Sequence, residues 1–278
     1  MLITFLITHD RSQFNVEPLL HNFAKSQVFA DPEAVIKISE NTFALHQVKF
    51  FDILCSELFI PFVCLRWFVR QNSNIGYRIR QTGMATRQGL RGLLSVIQAL
   101  VSKNRCLSLK LKNLRLLNIS AAHMHALTQG VYSSKDFVCI LEDDGILSDV
   151  AGLTKVLNWI ESNLDPSQLT LVDLSDSYTF SELGVESRNL TEILDLPEHL
   201  QKVVQTSRPI TNTCAAIIYS RAATIAVKEF VSHAMENRLT RSVPIDWQLN
   251  RFIMANSTNY ALQTFHVAPG LIKQGSFN

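Results

Sequence analysis

Residues 137–149 read FVCILEDDGILSD: five apolar residues in a row, three acids in a row, then a glycine. A run that is apolar on successive positions is the pattern of a strand buried on both faces, as in the middle of a parallel sheet. Three crowded carboxylates at its end are costly unless a cation or a donor network compensates them. In open α/β sheets, ligands bind beyond the carboxyl ends of the strands. Glu142, Asp143 and Asp144 therefore suggest a place for positive charge, the plain alternative being that they begin a polar loop. Hard divalent ions such as Mg²⁺ or Mn²⁺ take carboxylate oxygens and keep open positions for phosphate. If the chain stays extended, Glu142 and Asp144 share one side and Asp143 faces elsewhere. Gly145 lets the backbone turn away close to a ligand.

Working outward, short apolar runs alternate with helical periodicity. LITFLI (2–7) and AVIKI (34–38) read as strands, with Val16, Leu19, Leu20 and Phe23 at helical spacing between them and a helical stretch over 42–58. TRQGLRGLLSVIQALVSK (86–103) aligns Leu90, Leu93, Leu94, Ile97 and Val101 on one face, the clearest amphipathic helix in the chain. A helix near 118–130 precedes the FVCIL strand. Another runs from Ser148 to Leu164, with Val150, Leu153, Val156, Leu157 and Ile160 aligned, and Pro166 ends it. LTLVDL (169–174) is a strand, 181–208 is mostly polar and irregular, and NTCAAIIYS (212–220) is a strand feeding a helix over 221–237. The pattern predicts an α/β fold with a mainly parallel sheet covered by helices on both faces. Without an internal repeat or low-complexity linker, the expectation is a single domain over 1–278. Within it, 58–117 interrupts the βα rhythm as a basic, aromatic-containing insertion or membrane-facing segment.

Composition narrows the function classes. With 278 residues, 47% hydrophobic and 18% charged, and a mean hydropathy of +0.11, the chain is far from disorder and long enough for a large core. Its five cysteines are odd in number and lack a CxxC pair, which argues against a disulfide framework and a thiolate zinc site and favours the reducing cytoplasm. MLITFLITHD has no basic residue before its apolar run and reads as a strand rather than a signal peptide. LFIPFVCLRWFV (58–69) is broken by Pro61 and Arg66 and is too short to cross a bilayer. The net charge of +2 hides an asymmetry: 58–120 holds eleven Lys/Arg and no Asp or Glu. Phe59, Phe62, Trp67, Phe68 and Tyr77 interleave with the arginines. That mixture suits an anionic membrane surface or phosphate-bearing ligands, and the plain alternative is a solvated basic face. No nucleic-acid recognition motif accompanies the charge.

ILEDD (140–144), preceded by SAAHMHAL (120–127), resembles glycosyltransferase family 25, the lipooligosaccharide and collagen galactosyltransferase group. NTCAAIIYSRAAT (212–224), PIDWQLNRFI (244–253) and the ending FHVAPGLIKQGS are similar to that family's later segments. The resemblance covers 118–276. It departs at Thr8, Phe14 and Ala122, where the family pattern has Asn, Arg and Ser, and it leaves 58–117 without a counterpart.

The resemblance implies a GT-A type nucleotide-sugar transferase fold. It implies inverting, metal-dependent transfer of a sugar from a nucleotide donor, UDP-linked, to a glycan acceptor of the lipopolysaccharide or cell-envelope type. Mn²⁺ or Mg²⁺ would be held by Glu142 and Asp144, with His266 completing the shell. Asp10, Arg11, His123, Glu142 and Asp143 would meet the donor. Asp246, at the start of a helix whose Ile245, Leu249, Phe252 and Ile253 face the core, would act as general base. His123 shares a helical face with Ile119, Ala126 and Leu127 and points inward, whereas His125 diverges from it. A cytoplasmic enzyme resting on the inner leaflet fits the basic block. The alternative is a non-catalytic nucleotide- or carbohydrate-binding protein on the same scaffold.

Overall fold

The computed structural model describes residues 2–8, 17, 19, 21, 35–39, 42–59, 75–175, 191–194, 202–205, 216–256, 262–268 and 270–275. The chain forms two compact units. One comprises Met1–Glu40, Ala122–Phe230 and Phe252–Asn278, the other Asn41–Ala121 and Val231–Arg251. Where a single domain with an insertion over 58–117 was expected, the second unit is wider than that block and recruits a later segment.

The first unit is built on an eight-stranded mixed sheet. Its strands are β1 (Leu2–Thr8), β2 (Val35–Ser39), β3 (Phe137–Glu142), β5 (Leu169–Asp173), β6 (Thr191–Leu194), β7 (Lys202–Gln205), β8 (Ala216–Ser220) and β9 (Leu262–Ala268), in the order β2-β1-β3-β8-β5-β9-β7-β6. β7 and β8 run against the other six. The α/β class with a mostly parallel sheet agrees with the sequence reading, but apolar periodicity carries no strand direction, so the reversal of β8 between β3 and β5 was not foreseen. The pair β6 and β7 falls inside the stretch read as irregular. β4 (Gly145–Leu147) and β10 (Ile272–Gln274) form a separate antiparallel pair.

Alternate residues of the strands serve opposite faces. Leu2, Leu6, Phe137, Cys139, Leu141, Val172, Ile218, Phe265 and Val267 join the core made with helix α4 (Val150–Asn163), which contributes Leu153, Val156, Leu157, Trp159 and Ile160. Trp159 meets Phe265 edge to face at 5.5 Å. Asp149 caps α4, its Oδ1 accepting from Gly152 N at 3.0 Å. On the other sheet face, α3 (Lys103–Tyr132) meets β3 through His123 and Gly130, and helix α5 (Arg221–Glu236) reaches the same place through Thr224. A Cβ on Gly130 would lie 2.8 Å from Val138 and 3.1 Å from Thr224, so glycine is what lets α3 approach the sheet there.

The second unit is helical. A 3₁₀ turn (Leu45–Gln47), α1 (Phe50–Leu54) and a π-helical turn (Cys55–Phe59) replace the one helix read over 42–58, and α2 spans Ile75–Val101. A one-residue break at Ser102 separates α2 from α3, with helical hydrogen bonds on both sides (Ser102 N to Gln98 O 2.9 Å, Cys106 N to Ser102 O 3.0 Å). Ile53, Val96, Ala99 and Leu109 form the core.

The α2 stripe faces outward. An amphipathic helix ordinarily turns its large apolar residues to the core, yet Leu90, Leu93, Leu94, Ile97 and Val101 are all exposed, Val101 by 83%. The buried face carries Ala85, Gly89, Gly92, Val96 and Ala99. Close approach of the chain explains the inversion, because a Cβ on Gly92 would fall 1.9 Å from the Glu57 carbonyl oxygen. Among the described residues, no helix is long and apolar enough to cross a membrane.

Candidate functional site

The carboxyl ends of β1, β3, β5 and β9 lie along one edge of the sheet, because these four strands share a direction. The acid run opens there. β3 ends at Glu142, and Asp143 and Asp144 form the turn into β4. The extended-chain argument that put Glu142 and Asp144 on one side therefore does not apply beyond Glu142. A turn, not strand alternation, sets the direction of Asp144.

Glu142 has the parity of Val138 and Ile140 and faces the α3 side. Its Oε1 lies 3.0 Å from Nε2 of His123. His123 is 1% exposed, while the Glu142 side chain keeps 17% of its surface. The inward reading of His123 thus agrees with its position, and His125 sits on the outer side, 3.3 Å from Gln129 Nε2. Among the described residues, Nδ1 of His123 is buried with no hydrogen-bond partner. Asp143 faces the opposite way and meets β1, its Oδ2 accepting from Thr8 Oγ1 at 3.4 Å. Asp144 is buried, and its carbonyl accepts from Gly275 N at 2.7 Å.

A second acid–histidine pair lies on the same sheet face. Asp173 ends β5 and stands opposite His266 of β9. Asp173 Oδ2 is 3.3 Å from His266 Nδ1, and its Oδ1 accepts from Ser175 N at 2.8 Å. The Asp173–His266 contact has ion-pair distance without hydrogen-bond alignment, since Oδ2 makes no aligned bond among the described residues. His266 Nε2 is also buried without a described partner. His266 therefore sits with Asp173, not with the acid run. β9 is three strands from β3, about 14 Å at ordinary strand spacing, whereas hard-cation ligand distances are about 2.0–2.6 Å. Among the described residues, no group of three or more His, Cys, Asp or Glu side chains converges as a metal-holding set.

Asp173 is the site residue that sequence reasoning missed. The signal was present, since LTLVDL repeats the pattern of FVCILEDD: an apolar strand ending in an acid. The C-terminal segment joins the two acidic strand ends. β10 pairs with β4, placing Gln274 opposite Gly145. Leu271 N donates to Leu174 O at 2.9 Å, and Ser175 bridges to Ile272.

Asp246 lies in the first turn of α6 (Ile245–Asn256), in the part of that helix belonging to the second unit. Ile245, Leu249, Phe252 and Ile253 are buried as expected, and Asp246 is partly exposed. Asp10 and Arg11 lie outside the described residues. No protein-family model matches the chain, and no curated protein matches it.

Proposed function

We propose that the protein is a metal-dependent glycosyltransferase of GT-A type, inverting, that moves a hexosyl group, with galactose the first to test, from a UDP-linked donor to an envelope-type glycan. The observation that carries this reading is the acid run at the carboxyl end of β3, with Glu142 held by buried His123 at 3.0 Å. Carboxylate oxygen is the donor chemistry that a divalent cation of the phosphate-carrying kind takes, using one or two such groups and leaving its other positions to phosphate and water. Glu142 and Asp144 would hold it, and when bound it would neutralise charge on the departing diphosphate.

The chain's own residues supply the rest. His123 orients Glu142, and Asp143, tied to Thr8, fixes the turn that presents Asp144. A general base accepts the proton of the acceptor hydroxyl as that oxygen bonds to the anomeric carbon, the role that the family resemblance gives Asp246. The bond from that carbon to the phosphate oxygen breaks, and the nucleoside diphosphate leaves with its electron pair.

One observation favours a second reading, a nucleotide- or carbohydrate-binding protein without turnover: Glu142 already has a buried partner in the His123 ring at 3.0 Å. A panel of nucleotide sugars with Mn²⁺, comparing wild type with Asp144→Asn, separates the two. Turnover that falls at least about 100-fold in the variant supports the transferase. Thermal stabilisation by UDP and Mn²⁺ without transfer or donor hydrolysis supports the binder. Equal turnover in both proteins would remove Asp144 from the site.

A further inference from the structure

We propose that the exposed aliphatic stripe of α2 docks the helical unit onto an anionic lipid bilayer, with the helix lying in the plane of the interface. The proposal does not depend on the transferase reading. Leu90, Leu93, Leu94, Ile97, Leu100 and Val101 follow one another at helical spacing, and all stand exposed, from 46% to 83%. The opposite face, with Ala85, Gly92, Val96 and Ala99, is the one that packs within the unit. A continuous stripe of large aliphatic side chains left in water marks an interaction surface.

Charge selects the occupant. At 100° per residue, Arg87 and Arg91 both lie along one edge of the stripe, beside Leu94, and both are exposed. Lys103 and Arg105 are exposed just beyond its end. No acid occurs between 58 and 120 to offset them. Lipid headgroups bearing phosphate without a compensating amine complement that frame, while acyl chains accept the leucines. A second copy of the chain would bring the same cationic frame to the stripe, with no Asp or Glu of 58–120 to meet it. Crossing the bilayer is not the mode, because no described helix is long and apolar enough for it.

The test is sedimentation of the full chain with unilamellar vesicles of phosphatidylcholine alone and of phosphatidylcholine with phosphatidylglycerol. Partitioning onto the anionic vesicles is expected to exceed that onto the neutral ones by about tenfold or more, and to weaken with salt. The triple variant Leu90→Gln, Leu94→Gln, Ile97→Gln should lower it by a similar factor. So should Arg87→Glu with Arg91→Glu, each variant keeping the wild-type melting temperature because these side chains lie outside the core. Equal partitioning onto both vesicle types, or none at low salt, overturns the proposal. A lipid-free dimer in sedimentation velocity that the triple variant dissolves overturns it too, assigning the stripe to a second copy.

Discussion

Two carboxylates, one in each unit, are paired with a base in opposite ways. Asp52 of the helical unit is 1% exposed, and each of its oxygens is bonded. Oδ1 accepts from Arg241 Nε at 2.6 Å, while Oδ2 accepts from Arg241 Nη2 at 2.5 Å and from Lys49 N at 2.7 Å. The fork is closed, and the hydrogen bonds that Arg241 donates to Asp52 hold its guanidinium above its ordinary pKa. Glu142 of the sheet unit keeps one oxygen out of its histidine contact, and that histidine carries a second nitrogen with no described partner. A closed pair can only hold structure together. An open pair at a strand's carboxyl end has valence left for a ligand, which is why the site reading rests on Glu142 and not on the better-bonded Asp52.

The comparison breaks most sharply at Arg241. Arg241→Ala strands a buried carboxylate and is expected to cost about 3–5 kcal/mol in urea unfolding. Arg241→Lys should lose less, because the charge survives and only the fork is lost. A loss under about 1 kcal/mol for the alanine variant would class the pair with solvated surface bridges. Next in size is Gly92→Ala, which drives a Cβ into the Glu57 carbonyl and should cost about 1–3 kcal/mol through backbone displacement. An unchanged melting temperature would show that α2 and the π-helical turn separate easily. His123→Gln should cost only about 1–2 kcal/mol, since Glu142 can turn to water. On the transferase reading, its UDP–Mn²⁺ affinity should nevertheless fall about tenfold. If stability drops as far as in Arg241→Ala while nucleotide affinity holds, the two pairs are alike and the contrast fails.

Much of the sheet unit was legible because burial on both faces writes itself locally: β3, β5 and β8 are runs of apolar neighbours, and the inward turn of His123 follows from helical spacing. What was not legible depends on distant partners. Asp173 meets His266 only because β5 pairs with β9, and nothing within LTLVDL announces that neighbour. What covers the α2 stripe was not legible for a related reason. Periodicity shows that a helix has an apolar face, but not whether protein or something else covers it. Gly92 and Ala99 were the local hint, since small residues spaced on one face permit close packing, and the larger side chains were left for the outside.

The smallest expected effect lies inside the sheet, where chemistry and packing meet at one thiol. Cys139 is fully buried at the centre of β3, opposite Thr4. Burial pushes its pKa far above the usual thiol range, outweighing the lowering by the Thr4 hydroxyl. The unfolded chain releases that proton near pH 8.5, while the folded chain keeps it. The native state then binds more protons, and stability falls as pH rises past that point, at up to about 1.4 kcal/mol per unit. Cys55 shifts the same way, through burial first and the nearby Asp52 second, so some slope belongs to it. Cys139→Ala should therefore be less stable at pH 7.5, where a small cavity is the whole difference, yet converge on wild type between pH 8.5 and 9.5 in chemical denaturation. Parallel pH profiles would mean that water reaches the thiol and that the strand carrying the acid run is less dry than its burial indicates.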